Sequence, residues 1–226
     1  MRAAVIVLPG SNREQDTKYI LRDLLNIETD LLWYKETNLS LYDLIVVPGG
    51  FAYGDYLRAG AIARFAPAVQ VLGDYVVAKK GWVLGICNGF QILTEAGLLP
   101  GALARNEQKK FVCKRVKLRV ENTETAFTQF FEPNEIVELP VAHAEGRYFD
   151  TPEAIAKLKR NQQILLTYVD ENPNGSVGAI AGITNELRNV FGLMPHPEHN
   201  CETLLGSGAG LRFFQSLVHS REAVHG

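Results

Sequence analysis

Cysteine is scarce in this chain: three residues in 226, at positions 87, 113 and 201. An odd and widely spaced set offers no disulfide framework and fits a reducing, cytoplasmic setting. An excess of one charge is equally lacking. Lys plus Arg number 23 against 25 Asp plus Glu, a net charge of −2. No basic surplus points to nucleic acid, and no basic run flanks an apolar stretch as a membrane anchor requires. A membrane span needs roughly 18 or more consecutive apolar residues, and no run approaches that. The apolar run that ends at Leu8 is too short for a signal peptide and reads as a strand. Glycine (20) and proline (10) stand near background, which excludes a collagen-like or linker-rich chain. With no repeat or low-complexity tract, a single domain over residues 1–226 is expected.

What remains is an ordinary globular composition, 46% hydrophobic and 21% charged, with length enough to bury a core without disulfides or metal. Apolar runs at 2–8, 30–34, 44–47 and 82–86 alternate with helical patterns at 14–26, 61–78 and 88–96. Continuous rather than alternating apolar strands imply an open, mostly parallel twisted sheet with helices on both faces, flavodoxin-like in class. Beyond residue 110 the pattern changes. Residues 111–120 alternate apolar with charged, and 136–141, 163–169, 177–183 and 190–194 read as further strands. A mixed or antiparallel extension is expected there, closed by a helix over 204–219.

The strongest local signal is Gly85-Ile86-Cys87-Asn88-Gly89, set between a strand and a helix. This is a nucleophile elbow with sulfur in place of oxygen. The two glycines make room for a sharp turn that lifts the sulfur out of the sheet to a helix N-terminus, where a charged sulfur is stabilised. The Asn88 N–H beside it can serve an oxyanion. Pro48-Gly49-Gly50 ends another strand at the same sheet edge, so the Gly50 N–H is the candidate second donor; a plain tight turn is the alternative reading. Cys113 and Cys201 read as small buried side chains.

A sulfur nucleophile needs a base and a group to orient it. Of the histidines at 143, 196, 199, 219 and 225, the last two are expected on the surface of the final helix. His196 follows an apolar strand directly, and Pro197 biases it toward an extended conformation. In an extended segment residues i and i+2 share a face, which brings Glu198 to the imidazole. His196, His199 and Cys201 have the spacing of a partial metal site, but no fourth ligand pairs with them, and no metal is expected.

The segments P-G-G-F-A-Y-G-D-Y-L-R (48–58), G-I-C-N-G-F-Q (85–91), H-A-E-G-R-Y (143–148) and M-P-H-P-E (194–198) together resemble the class I, or triad, glutamine amidotransferases. The likeness extends over the whole chain and is strongest to stand-alone glutaminase subunits serving de novo purine synthesis. It implies Cys87 as nucleophile, His196 as base and Glu198 as its orienting acid, with Gly50 and Asn88 as backbone oxyanion donors. It further implies glutamine contacts at Gln91, His143, Ala144 and Glu145, the last three largely through main chain; Ala144 stands where Gly is expected. No cofactor is implied on this chain. ATP and Mg would be used by a large synthase partner, assisted by a small accessory subunit. The Gly-rich 206–210 segment lacks a preceding strand and reads as a helix start rather than a phosphate loop. Residues 51–56 and the exposed face of 111–120 are candidate docking surfaces. A non-catalytic scaffold, another cysteine hydrolase and a glutaminase serving pyridoxal phosphate synthesis stay open as alternatives.

Overall fold

The computed structural model describes residues 1–79 and 81–225. The apolar runs form a nine-stranded sheet with two halves. One half holds β1 (Arg2–Val7), β2 (Glu28–Trp33), β3 (Leu44–Val47), β4 (Trp82–Ile86) and β11 (Val190–Leu193). Neighbours within it are parallel. The other half holds β10 (Ile180–Thr184), β9 (Ile164–Val169), β6 (Val112–Val120) and β7 (Ile136–His143), all joined by antiparallel pairings. The strand order across the sheet is β2-β1-β3-β4-β11-β10-β9-β6-β7. The α/β sheet expected from sequence is present, with an antiparallel extension larger than the pattern suggested. A small separate pair joins β5 (Ala102–Ala104) to β8 (Arg147–Phe149).

Leu44, Ile45, Val46 and Val47 are all fully buried, so both faces of the parallel half are covered. In β6 the pattern is alternate: Val116, Leu118 and Val120 are buried while Arg115, Lys117 and Arg119 face solvent. Six α-helices are described: α1 (Glu14–Tyr19), α2 (Pro67–Gln70), α3 (Leu72–Lys79), α4 (Asn88–Glu95), α5 (Pro152–Arg160) and α6 (Ala209–His225).

Several boundaries depart from the sequence reading for local reasons. The helix expected over 14–26 is α-helical through Tyr19 and ends in a π-helical turn, Ile20–Leu24. The stretch over 61–78 breaks into a 3-10 turn (Ala63–Phe65), α2 and α3, because Pro67 holds Ala66 extended at ψ 134°. Residues 177–179 form a 3-10 turn with Gly178 at φ 61°, so β10 starts only at Ile180. Helix α6 begins at Ala209, past Gly208 at φ 73°. Helix α5 was not foreseen, although its start was legible: Thr151 Oγ1 accepts the Ala154 N–H at 3.2 Å and Pro152 opens the first turn.

The topology fixes where a site can form. The chain places β2 on one side of β1 and β3 on the other, so the loops after β1 and β3 leave at a switch point. There Ser11 and Gly50 form an isolated bridge and the Phe51 N–H donates to Gly10 O at 2.9 Å. The ends of β4 and β11 lie beside it, in register Ile86 to Leu193.

Close approach at this edge depends on glycine. A Cβ on Gly89 would stand 1.9 Å from the Val47 carbonyl oxygen, whereas one on Gly97, at φ +72°, would meet only open space. Gly97→Ala is expected to cost about 1–2 kcal/mol from left-handed strain alone. Gly89→Ala forces apart α4 and β3 and is expected to cost roughly 3 kcal/mol or more. Urea unfolding of the two variants measures the difference.

Candidate active site

Cys87 joins β4 to α4 with φ 50° and ψ −103°, a backbone state that L side chains rarely adopt. The flanking glycines are what permit it. A Cβ on Gly85 would stand 2.5 Å from Leu93 Cδ1 and 2.8 Å from the Gly89 carbonyl carbon. The Cys87 N–H donates to Leu193 O at 2.8 Å, which ties the elbow to the end of β11. The sulfur points across the edge to Ala142 O, 3.8 Å away at the end of β7. The residue is 5% exposed.

His196 leaves β11 three residues past Leu193, and its N–H donates to Pro140 O on β7 at 2.8 Å. Its φ of −105° and ψ of 89° are extended, as Pro197 requires. Glu198 reaches it by a different route from the one the sequence suggested. Pro197–Asn200 is a 3-10 turn with His196 as its N-cap, so the turn, not a continuing strand, folds the carboxylate back. Glu198 Oε1 lies 2.6 Å from His196 Nδ1, and both side chains are buried. Burial alone would lower His196 and raise Glu198. Their mutual attraction overrides it: Glu198 holds His196 well above its ordinary value, with Cys87 adding to the effect, and the imidazolium holds Glu198 below the usual carboxylate range. With Nδ1 committed to Glu198, the other ring nitrogen, buried Nε2, is left for chemistry with Cys87, which lies close enough to act on the ring. A Cβ on Gly49 would stand 3.0 Å from His196 Cε1, so the glycine turn after β3 seats against the ring.

The remaining expected residues line the same edge. Gly50 bridges to Ser11, and Asn88 opens α4, where the first N–H groups have no intrahelical acceptor. The Asn88 side chain locks the surroundings: Oδ1 accepts the Ala52 N–H at 3.0 Å, and Nδ2 donates to Gln91 Oε1 at 2.8 Å. Gln91 Nε2 donates to Glu145 O at 2.6 Å, which joins α4 to the segment after β7. Ala144 is not among the positive-φ residues, so alanine stands there without strain. His143 is buried, and burial together with the charge of His196 pushes it down to about 4.

Sequence reasoning missed Asp55. It accepts from Asn88 Nδ2 at 3.3 Å, and burial plus repulsion from Glu145 pushes its carboxyl up to about 6. Its loop carries visible strain, with Tyr53, Asp55 and Leu57 all at positive φ.

The other cysteines and histidines separate clearly. Cys201 is buried, its Sγ 3.2 Å from Pro197 O, and burial pushes its thiol up. Cys113, expected to be buried, is exposed, because it lies in the outer-facing stretch of β6. All three cysteines are free. His219 is exposed; the side chain of His225 lies outside the described residues. Among the described residues, ligand atoms of His196, Glu198 and His199 lie within 4.8 Å of one another, but Cys201 is not part of the group. No described helix is long and apolar enough to cross a membrane.

Residues 1–210 match the family model of the CobB/CobQ-like glutamine amidotransferase domain. The chain is 50% identical over 225 residues to phosphoribosylformylglycinamidine synthase subunit PurQ of Nostoc sp., covering 99% of this chain and 100% of the relative. The same figures hold for the PurQ subunit of Trichormus variabilis. The chain belongs to this family of glutamine amidotransferases, with the PurQ subunits.

A chain in the structure of PurLQS from Thermotoga maritima superposes with a TM-score of 0.88 at 42% identity, covering 97% of this chain and 98% of that one. A glutamine amidotransferase from Thermotoga maritima matches at a TM-score of 0.58 and 17% identity, over 99% of this chain and 83% of that one, and supports the fold alone. In this amidotransferase the Asp55 carboxylate gives a direct test of the rim. Its unfolded value is near 3.8 and its folded value about 6, so the folded state keeps the proton longer and stability falls as pH rises between the two. Asp55→Asn removes the repulsion from Glu145 while keeping an acceptor for Asn88. Its melting-temperature gain over the parent chain is expected to be absent near pH 4, to grow toward pH 6 and to level off above. Thermal melts across that range measure it.

Proposed function

We propose that this chain hydrolyses L-glutamine to glutamate and ammonia through Cys87, His196 and Glu198. The ammonia passes to a synthase partner that makes phosphoribosylformylglycinamidine from formylglycinamide ribonucleotide with ATP, in de novo purine synthesis. The observation that carries the catalytic reading is the buried His196–Glu198 pair, 2.6 Å apart, at the same sheet edge as a cysteine in elbow geometry.

The sulfur of Cys87 attacks the side-chain amide carbon, and charge develops on the amide oxygen, toward which the Gly50 and Asn88 N–H groups serve as donors. His196 takes the thiol proton and gives it to the departing nitrogen, which leaves as ammonia with a thioester on Cys87. The same imidazole then takes a proton from water, hydroxide attacks the thioester, and glutamate leaves as the thiol is restored. Glu198 holds the ring in one tautomer and stabilises the imidazolium in both halves. Both proton transfers fall to one side chain, so we assign no metal or organic cofactor to this chain and place ATP and Mg on the partner. Gln91, His143, Ala144 and Glu145 are assigned to the amino-acid end of glutamine.

Free ammonia is mostly protonated at neutral pH and loses its nucleophilicity, so release into solvent would waste it. A nucleophilic residue only 5% exposed agrees with a site that opens toward a partner rather than to bulk water. Phe51, Tyr56 and Leu57, all exposed on the adjoining loop, and Phe111 ahead of β6 are the surfaces we assign to the large synthase subunit, with a small accessory subunit completing the assembly. We place the assembly in the cytoplasm and take residues 1–226 as one domain around one core.

In the reconstituted complex, Cys87→Ala is expected to abolish glutamine-dependent synthesis and to leave ammonia-dependent synthesis intact. Loss of both would assign the sulfur a structural role instead. Glu198→Gln preserves the shape but releases the tautomer, and a fall in glutaminase kcat on the order of 10²–10⁴ is expected by analogy with acid-to-amide changes in other triads. Steady-state glutamate release with all components present measures both.

A further inference from the structure

The turn of residues 143–146, which leads from β7 to β8, takes most of its bonds on one side from a single residue remote in sequence. Asn106 lies in the loop between β5 and β6 and is 1% exposed. Its backbone N–H donates to Ala144 O at 2.9 Å. Its Nδ2 donates to His143 O and to Lys110 O, each at 2.9 Å. Its Oδ1 accepts the Gly146 N–H at 2.9 Å and faces His143 Nδ1 at 3.1 Å.

This network determines its own proton positions. Both Nδ2 hydrogens point to carbonyl oxygens, which fixes the amide orientation. Oδ1 is therefore an acceptor on both sides, and His143 Nδ1 carries the proton. A histidine pushed down to about 4 is neutral at physiological pH and suits that single-tautomer contact. The fit is close: a Cβ on Gly146 would stand 2.4 Å from His143 Nδ1. From the opposite side Gln91 Nε2 donates to Glu145 O, and Asn174 Nδ2 donates to Gly146 O at 2.8 Å. The neighbouring Ala142 O faces the Cys87 sulfur.

We infer that Asn106 is a positioning residue for glutamine hydrolysis: it sets the main chain of residues 143–146 at the height where the amino-acid end of glutamine is received, without touching the substrate. The inference rests on the reading that this turn holds glutamine. Its physical basis is that Asn106 binds the carbonyl before the turn, the carbonyl within it and the N–H that closes it. Shortening this side chain releases three of the turn's polar groups together, and a shift of about 1 Å in a positioning element costs on the order of 100-fold in rate.

The test separates recognition of the amino-acid end from reactivity of the sulfur. Two electrophiles are compared on the assembled complex, a diazoketone analogue of glutamine and iodoacetamide, with the modification rate at Cys87 read by peptide mass spectrometry. In Asn106→Ala the diazoketone rate is expected to fall roughly 10- to 100-fold and KM for glutamine to rise in step, while the iodoacetamide rate stays within about twofold. Asn106→Gln keeps a neutral amide donor and acceptor but sets them on a longer arm that displaces the turn, so an intermediate loss with the diazoketone is expected; it decides the matter where the alanine variant does not fold. Equal loss with both reagents would show a general structural role, and no loss with either in both variants would show that the turn holds itself; each overturns the inference. Parent complex that takes up iodoacetamide at Cys87 but not the diazoketone would instead overturn the glutamine reading of the turn, and the inference with it.

Discussion

Everything at this site depends on one backbone state, the φ 50°, ψ −103° conformation of Cys87. A cysteine does not hold that conformation in isolation, where left-handed φ costs on the order of 1–2 kcal/mol. It is held because β4 and α4 are each packed against neighbours that leave no other path. Gly85 must lie against Leu93, Gly89 must lie against the Val47 carbonyl, and the Cys87 N–H is already bonded to Leu193 O. The strain is imposed by the most deeply buried part of the molecule, where Val46, Val47, Ile86, Phe90 and Leu193 are at or near zero exposure. A core of that kind is close-packed and does not yield to a local preference. The sulfur is thus aimed by the whole parallel half of the sheet, not by its own loop.

The two halves of the sheet then divide the labour. The parallel half supplies the elbow, the glycine turn of β3 and, from the end of β11, the His196–Glu198 pair. The antiparallel half supplies the opposite wall. Strand β7 is the sheet's edge beside β6 among the described residues, and its last residues run past the ends of β4 and β11, with Pro140 O accepting from His196 and Ala142 O facing Cys87. Chemistry is therefore built on one half and the assigned substrate turn on the other. Gln91 bridges the two through Glu145 O, and Asn88 braces Gln91 and the Ala52 N–H on the parallel side. A displacement of the loops that carry those groups would change recognition before it changed the triad.

How much of this was legible follows from the range of the forces involved. The elbow, the strand ends and the glycine turn could be read because glycine spacing and apolar runs act over a few residues. His196 and Glu198 were found because prolines mark the local backbone, yet the reason offered was incomplete, since the carboxylate arrives by a 3-10 turn and not by strand alternation. The break at Pro67 and the start of α5 at Thr151-Pro152 were present as local signals and went unread. Asp55 and Asn106 were of another kind. Nothing in the neighbourhood of either residue announces a role. Asp55 matters because Glu145, ninety positions downstream, approaches it, and Asn106 because residues 143–146 fold onto its amide. Exposure of Cys113 was likewise invisible, because alternation in β6 reports two faces but not which part of the strand is covered.

Two histidines within electrostatic reach of each other are driven in opposite directions, and this separation assigns their roles. His196 and His143 are both buried, and burial alone would lower both. Only His196 has a carboxylate against its ring, and it is lifted well above its ordinary value. His143 has a neutral amide instead and falls to about 4, with the charge on His196 pressing it lower still. Of the two imidazoles at this edge, His196 is therefore the stronger base, able to take a proton and return it, and His143 is a fixed hydrogen-bonding spacer. If the partners were exchanged, a charged His143 would repel the imidazolium that the reaction needs. The carboxylate at position 198 thus creates the base, while burial and the charge of His196 keep His143 from competing for the proton.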